Sequence, residues 1–186
     1  SPHHFAAMLR DFPTIATLDL VEAPGTSDDI ANLQVGRLIR AAGIATHVPR
    51  NGSVRSGAVE LFLAGVTQTM DDGARFAVHS WLDHLGRQPQ DFAADAPENR
   101  LYLDYYQKMG MTERQAESFY AMTNSVPHHS AKWLTASEMR GWIAPQKKRH
   151  QLAPAQTDRP LAFLMAMATQ SHQPFTLDLV PVTLPV

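Results

Sequence analysis

The chain has 186 residues, 44% hydrophobic and 18% charged, with a formal net charge of −2 and no cysteine. That length and apolar content suit an ordinary globular unit with a real core, and the near-neutral charge removes any electrostatic case for binding nucleic acid or an anionic membrane surface. Without cysteine there are no disulfides, thiolate metal sites or cysteine nucleophile. No apolar stretch is long enough to span a bilayer and no signal peptide is recognisable; the Ser1-Pro2 start would suit a processed, exported or periplasmic bacterial protein.

Near the start, His3-His4 reads by default as a disordered terminus and not as a metal pair. Phe5, Ala6, Met8 and Leu9 have helical spacing, stopped by Pro13. Residues 14–21 alternate and then run apolar, the pattern of a strand in a covered sheet, and Glu22-Ala23-Pro24-Gly25 reads as a turn. Thr26 or Ser27 is placed to cap a helix over 28–42, in which Asp28 and Asp29 complement the dipole while Ile30, Leu33, Val35, Leu38 and Ile39 form the buried side. Gly43 closes that helix, 44–48 is extended, and Asn51-Gly52 tolerates the positive φ of a tight turn. A strand-turn-helix-strand order predicts a parallel α/β sheet, whose ligand crevice lies at the carboxyl ends of its strands.

Ser56-Gly57-Ala58 opens the next apolar run, a buried helix that ends at Gly65. Ser56 therefore stands at a helix mouth, where the Gly57 N–H and the dipole would favour an oxyanion. Asp71-Asp72-Gly73 turns the chain into a strand over 75–78 that ends on His79, the natural base for Ser56. Ser53, the competing serine, falls in the turn before this point. On residue types alone, a capping serine and a solvated histidine are the commoner roles.

Residues 82–97 form a polar surface loop or lid, with Asp83 and His84 solvated. Helices follow over 101–110 and, capped by Thr112, over 112–122, with their tyrosines packing. Adjacent His128-His129 diverge on an extended loop without a carboxylate ligand, so no metal site is expected. The lack of GxGxxG and of a Walker lysine predicts no cofactor, and the lack of G-x-S-x-G argues against an ordinary α/β-hydrolase fold. Thr135 caps a short helix ended by Gly141. Beyond that, 145–160 reads as a linker or arm, and 161–186 as a helix and strand packing on the core or on a neighbouring subunit.

Taken in order, the strand, the Pro24-Gly25 turn, the helix, Ser56-Gly57-Ala58 before an apolar helix, and the strand ending in His79 resemble the Clp protease proteolytic subunit and its crotonase-fold relatives. The closest resemblance is to exported bacterial Clp-like proteins loosely labelled α/β hydrolases. A later signature is similar to Trp133-Leu134-Thr135-Ala136-Ser137-Glu138 with Gly141, so the resemblance covers residues 5–144.

It implies an α/β fold built as a ClpP/crotonase-like spiral of β-β-α units over residues 1–144. It further implies acyl transfer by Ser56 with His79 as general base, and an oxyanion hole from Gly25, Thr26 and Gly57. The partners implied are a peptide or small acyl substrate and further copies of the chain in a homo-oligomer. Thr26 stands where the family carries a second glycine, and the family's acid slot holds His128-His129-Ser130-Ala131-Lys132, with no carboxylate. The base would then be oriented by Asp83, Asn124 or His129, or act in an unsupported dyad. The other readings are a catalytically inactive ClpP-like binding or assembly module and a crotonase-type acyl-CoA enzyme. The family's strand before the first helix is missing here, and the C-terminal strand could take that edge.

Overall fold

A computed structural model describes residues 1–144; the linker, helix and strand expected beyond them lie outside the described residues. The first element is helix α1, Pro2–Asp11, capped by Ser1, whose hydroxyl accepts from the His4 N–H. His3 and His4 are thus helical, because Pro2 at the first helical position carries no N–H to leave orphaned.

The sheets form from pairs of short strands. The expected strand over 14–21 shortens to β1, Thr17–Asp19, and Glu22–Ala23, expected in the turn, forms β2; the two belong to different sheets. Next come α2 (Asp29–Ala41), β3 (Ala45–Val48), β4 (Ser53–Arg55) and α3 (Ala58–Leu63), followed by β5 (Gln68–Met70) and β6 (Arg75–Val78). One sheet orders β1-β3-β5 in parallel, and the other orders β2-β4-β6 in parallel with β7, Lys132–Thr135, antiparallel along β6. Each repeat sends one strand to each sheet and then a helix, which is the expected β-β-α spiral. A pattern of apolar alternation cannot report that a chain leaves one sheet for another between Asp19 and Glu22.

The helical layer holds α4, Pro97–Lys108, and α5, Glu113–Thr123, the latter with a Thr112–Gln115 capping box. Helix α6, Ala136–Ile143, starts from a Thr135–Glu138 capping box and continues through Gly141, the residue expected to end it. Asp28, and neither Thr26 nor Ser27, caps α2: its carboxylate accepts the Ala31 N–H at 2.9 Å. Ser53 is the first residue of β4 and not a turn residue.

Helix α3 is buried on all sides, with Val59, Phe62 and Leu63 packed among Val54, Phe76 and Val78 of β4 and β6 and Leu33 and Ile39 of α2. All-round burial explains its near-continuous apolar run. Gly36 lets α4 approach α2, since a Cβ there would overlap the Tyr105 hydroxyl. Among the described residues no helix is long and apolar enough to cross a membrane.

Candidate active site

The site begins at the carboxyl end of β4. Its parallel pairing with β6 sets Arg55 beside Ala77, and the Ser56 N–H donates to the Ala77 carbonyl at 2.8 Å. That bond carries Ser56 along the edge of β6 as far as the step before His79. Ser56 itself turns out of the strand with φ of 49°, in the left-handed region that a side chain rarely adopts. The turn delivers the chain at once into α3, so the serine is held by main chain on both sides.

Gly25, with φ of 109°, lies directly against it. A Cβ at Gly25 would come within 2.8 Å of the Ser56 Cβ and 2.9 Å of the Arg55 carbonyl oxygen. A Cβ at Gly57 would press on the Thr26 side chain, and the Gly57 carbonyl accepts from the Asn32 amide at 2.6 Å. The structure therefore brings Gly25, Thr26, Ser56 and Gly57 together, and the N–H groups of Gly25, Thr26 and Gly57 make no hydrogen bond among the described residues.

His79 follows β6 and is half-buried. Its Nδ1 lies 2.9 Å from the Ser80 carbonyl oxygen, and the Nδ1 of His128 lies 3.0 Å from that same oxygen. A carbonyl oxygen only accepts, and it has two lone pairs, so each imidazole carries a proton on Nδ1 and, in its neutral form, presents Nε2 as an acceptor. The two rings meet edge to face at a centroid distance of 4.6 Å. Of the orienting groups expected from the sequence, Asp83 is turned away into a loop bonded to the Arg87 guanidinium at 2.8 Å and to the N–H groups of Leu85 and Arg87. His129 is exposed, and its neighbour His128 is the one that reaches His79. Ser56 and His79 do not hydrogen-bond to each other among the described residues.

Both residues line one cavity of about 310 Å³. Exposed Thr26, Ser27, Leu82 and His128 mark its mouth, while buried Glu60, Tyr102, Tyr106 and Thr123 form its inner end. Glu60, only 7% exposed, accepts the Tyr106 hydroxyl at 2.8 Å. Loss of solvent raises its carboxyl to about 7; the Tyr106 hydrogen bond opposes that rise and the nearby Asp29 adds to it. Tyr102 donates to Asp29 at 2.6 Å, and burial together with that acid pushes its phenol well above its ordinary range. Trp81 donates to the Tyr120 hydroxyl, which donates in turn to Asn99, both at 2.7 Å; burial raises Tyr120 to about 12.

Glu60 is the residue of this cavity that sequence reasoning misses. Its signal is a lone carboxyl inside the apolar run Val59-Glu60-Leu61-Phe62-Leu63, since a buried ionisable residue without a structural need is uncommon. The tyrosines do pack, as expected, but they also turn their hydroxyls onto the two acids of the cavity.

No family model and no curated protein matches the sequence. Solved structures do. A variant of ClpP1 from Listeria monocytogenes is similar over 76% of this chain and 79% of its own, at 12% identity and a TM-score of 0.50. A membrane-bound stomatin-specific protease, solved with a substrate peptide, is similar over 76% of this chain at 14% identity and a TM-score of 0.47, and the chain spans 65% of that protein. The chain thus has a ClpP-like α/β fold. At such identities the likeness reaches the fold alone, and the chemistry has to be argued from the site.

Proposed function

We propose that the protein is a serine hydrolase, a peptidase or esterase, that works through Ser56 and His79. The Ser56 Oγ attacks an acyl carbon while its proton passes to His79 Nε2; the tetrahedral oxyanion is met by the N–H groups of Gly25, Thr26 and Gly57. Collapse breaks the bond to the leaving group, which takes the proton from His79, and water repeats the sequence on the acyl-serine. The observation that carries this reading is the placement of Ser56, in a left-handed backbone conformation, on one cavity with a histidine whose Nδ1–H is tied to the Ser80 carbonyl. That bond supports the tautomer a general base needs, with no carboxylate partner among the described residues. A serine and histidine not yet hydrogen-bonded are common before substrate binds. A peptide or small acyl substrate and a homo-oligomeric assembly belong to the same reading.

Labelling with a fluorophosphonate tests it. The adduct is expected at Ser56 by mass spectrometry, and to be lost in Ser56→Ala and His79→Ala. No adduct between neutral and alkaline pH would instead favour a non-catalytic binding module, the reading to which the missing carboxylate and the missing Ser56–His79 hydrogen bond point.

A further inference from the structure

The buried end of the cavity has an imbalance of donors and acceptors. Each donor there already has a partner: Trp81 Nε1–H on Tyr120, and the hydroxyls of Tyr102 on Asp29, Tyr106 on Glu60, Tyr120 on Asn99 and Thr123 on the Tyr120 carbonyl. Acceptors remain open. Glu60 and Asp29 each receive one hydroxyl on one carboxyl oxygen, and no other side chain among the described residues hydrogen-bonds either acid. Asn124, on the same lining, leaves Oδ1 buried and without a partner among the described residues. Its orientation is settled by its own amide, because Nδ2 donates to the Tyr120 carbonyl at 2.8 Å and a flipped amide would set oxygen against oxygen.

Among the described residues neither lysine nor arginine lines the cavity, and its wall includes the near-parallel rings of Trp81 and Tyr102, 6.2 Å apart between centroids. A space with open carboxyl and amide oxygens, aromatic faces and, among the described residues, no lysine or arginine is complementary to a positively charged hydrogen-bond donor. Its volume, at the small end of ligand pockets, suits one side chain and not a longer segment.

We propose that this inner end is a specificity subsite for a cationic group, the ammonium or guanidinium of a substrate side chain, received by Glu60 with Asp29 and Asn124 on the same lining. The subsite rests on the hydrolase reading in one respect only: with Ser56 and His79 on the same cavity, a lysine- or arginine-like side chain seated against Glu60 belongs to the acyl group that Ser56 attacks. The preferred substrate is therefore an ester or amide of a basic amino acid.

Two measurements on the full chain keep the subsite and the hydrolase reading separate. The first compares thiobenzyl esters of Nα-acetyl-lysine and Nα-acetyl-norleucine, which differ in the terminal charge. The kcat/KM ratio is expected to favour lysine by at least about tenfold in the parent and to fall to about one in Glu60→Gln. A parent ratio near one, or one that favours norleucine, overturns the proposal.

The second needs no turnover. The Ser56→Ala chain, labelled with 15N, is titrated with n-pentylammonium and, separately, with n-pentanol, following the Trp81 indole N–H. A saturable shift with the ammonium and none with the alcohol is expected; no ammonium response, or an equal response to both, overturns the subsite. This titration decides the matter even if neither ester is hydrolysed, which would count against Ser56 as nucleophile alone. It also decides if Glu60→Gln fails to fold, since it does not depend on that variant.

Discussion

The two walls of the cavity are held in different ways. On the strand side, main chain places every group: Ser56 by its N–H on the Ala77 carbonyl, His79 and His128 by the Ser80 carbonyl, and Gly25 by its fit against Arg55 and Ser56. On the helical side the positions depend on side chains holding one another, Tyr102 on Asp29, Tyr106 on Glu60 and Trp81 on Tyr120. A main-chain framework survives the loss of one side chain, so substitutions on the strand wall should change chemistry more than stability. A side-chain network loses its members together, so the helical wall should show the reverse.

The largest expected effect is on the strand wall. Ser56→Ala should lower ester hydrolysis by about 10³-fold or more, with the denaturation midpoint nearly unchanged. Ser56→Gly, which removes the Cβ from a residue at φ of 49°, should be more stable than Ser56→Ala by about 1 kcal/mol while equally inactive. If both variants instead unfold, the strand wall is not the independent framework described. Gly25→Ala comes next, because the added methyl meets Ser56 and the Arg55 carbonyl at a φ of 109°. It should slow fluorophosphonate labelling by about 10- to 100-fold and destabilise by about 1–3 kcal/mol.

On the helical wall, Glu60→Gln should act through stability and with a definite dependence on pH. The folded carboxyl, raised to about 7, binds its proton more tightly than the unfolded one. The parent should therefore lose stability as pH rises from the ordinary glutamate range toward 7 and level off above it. The facing groups are Asp29 from α2, which adds to the rise, and Tyr102, Tyr105 and Tyr106 from α4. The variant minus parent difference in urea melts should grow with pH, to at most about 3 kcal/mol near pH 8. A difference independent of pH would show that Glu60 is not buried as described.

Smaller still is Tyr106→Phe, which takes the hydroxyl from the Glu60 carboxyl. A cost of about 1–2 kcal/mol is expected, with the Glu60 titration moved further upward. The smallest is His128→Ala, which leaves the His79 bond to Ser80 in place. A loss of only a few-fold in labelling rate is expected; a loss as large as that of His79→Ala would make His128 a second proton carrier.

Much of the strand wall is legible in the sequence. Asn51-Gly52 announces a turn, and Asn51 does take positive φ, at 66°. The apolar run after Ser56 announces a buried helix, and the strand over 75–78 is present as expected. The positive φ of Ser56 is not legible, because serine has no marked preference for that region; it follows from β4 leaving the sheet for α3 beneath Gly25. Strand β5 escapes a sequence reading because Gln68–Met70 looks like the approach to a turn, and β7 is hidden under a helix-start signature, since its Trp133 is exposed and only Leu134 is buried. The loop in which the resemblance places an acid does reach His79, but with histidine, while a buried carboxyl on the cavity, Glu60, sits in the apolar helix that follows the serine.

By itself the sequence determined the helices after Gly25 and after Ser56, the strand over 75–78, and the serine and histidine beside them, because glycine turns, apolar periods and caps are local and each residue carries its own preference. Only the tertiary structure decided which sheet each strand joins, what orients His79, and that Glu60, Asp29 and the tyrosines of α4 and α5 close one cavity. Those outcomes depend on contacts between segments dozens of residues apart, where burial sets the chemistry of a carboxyl and no local preference reports it.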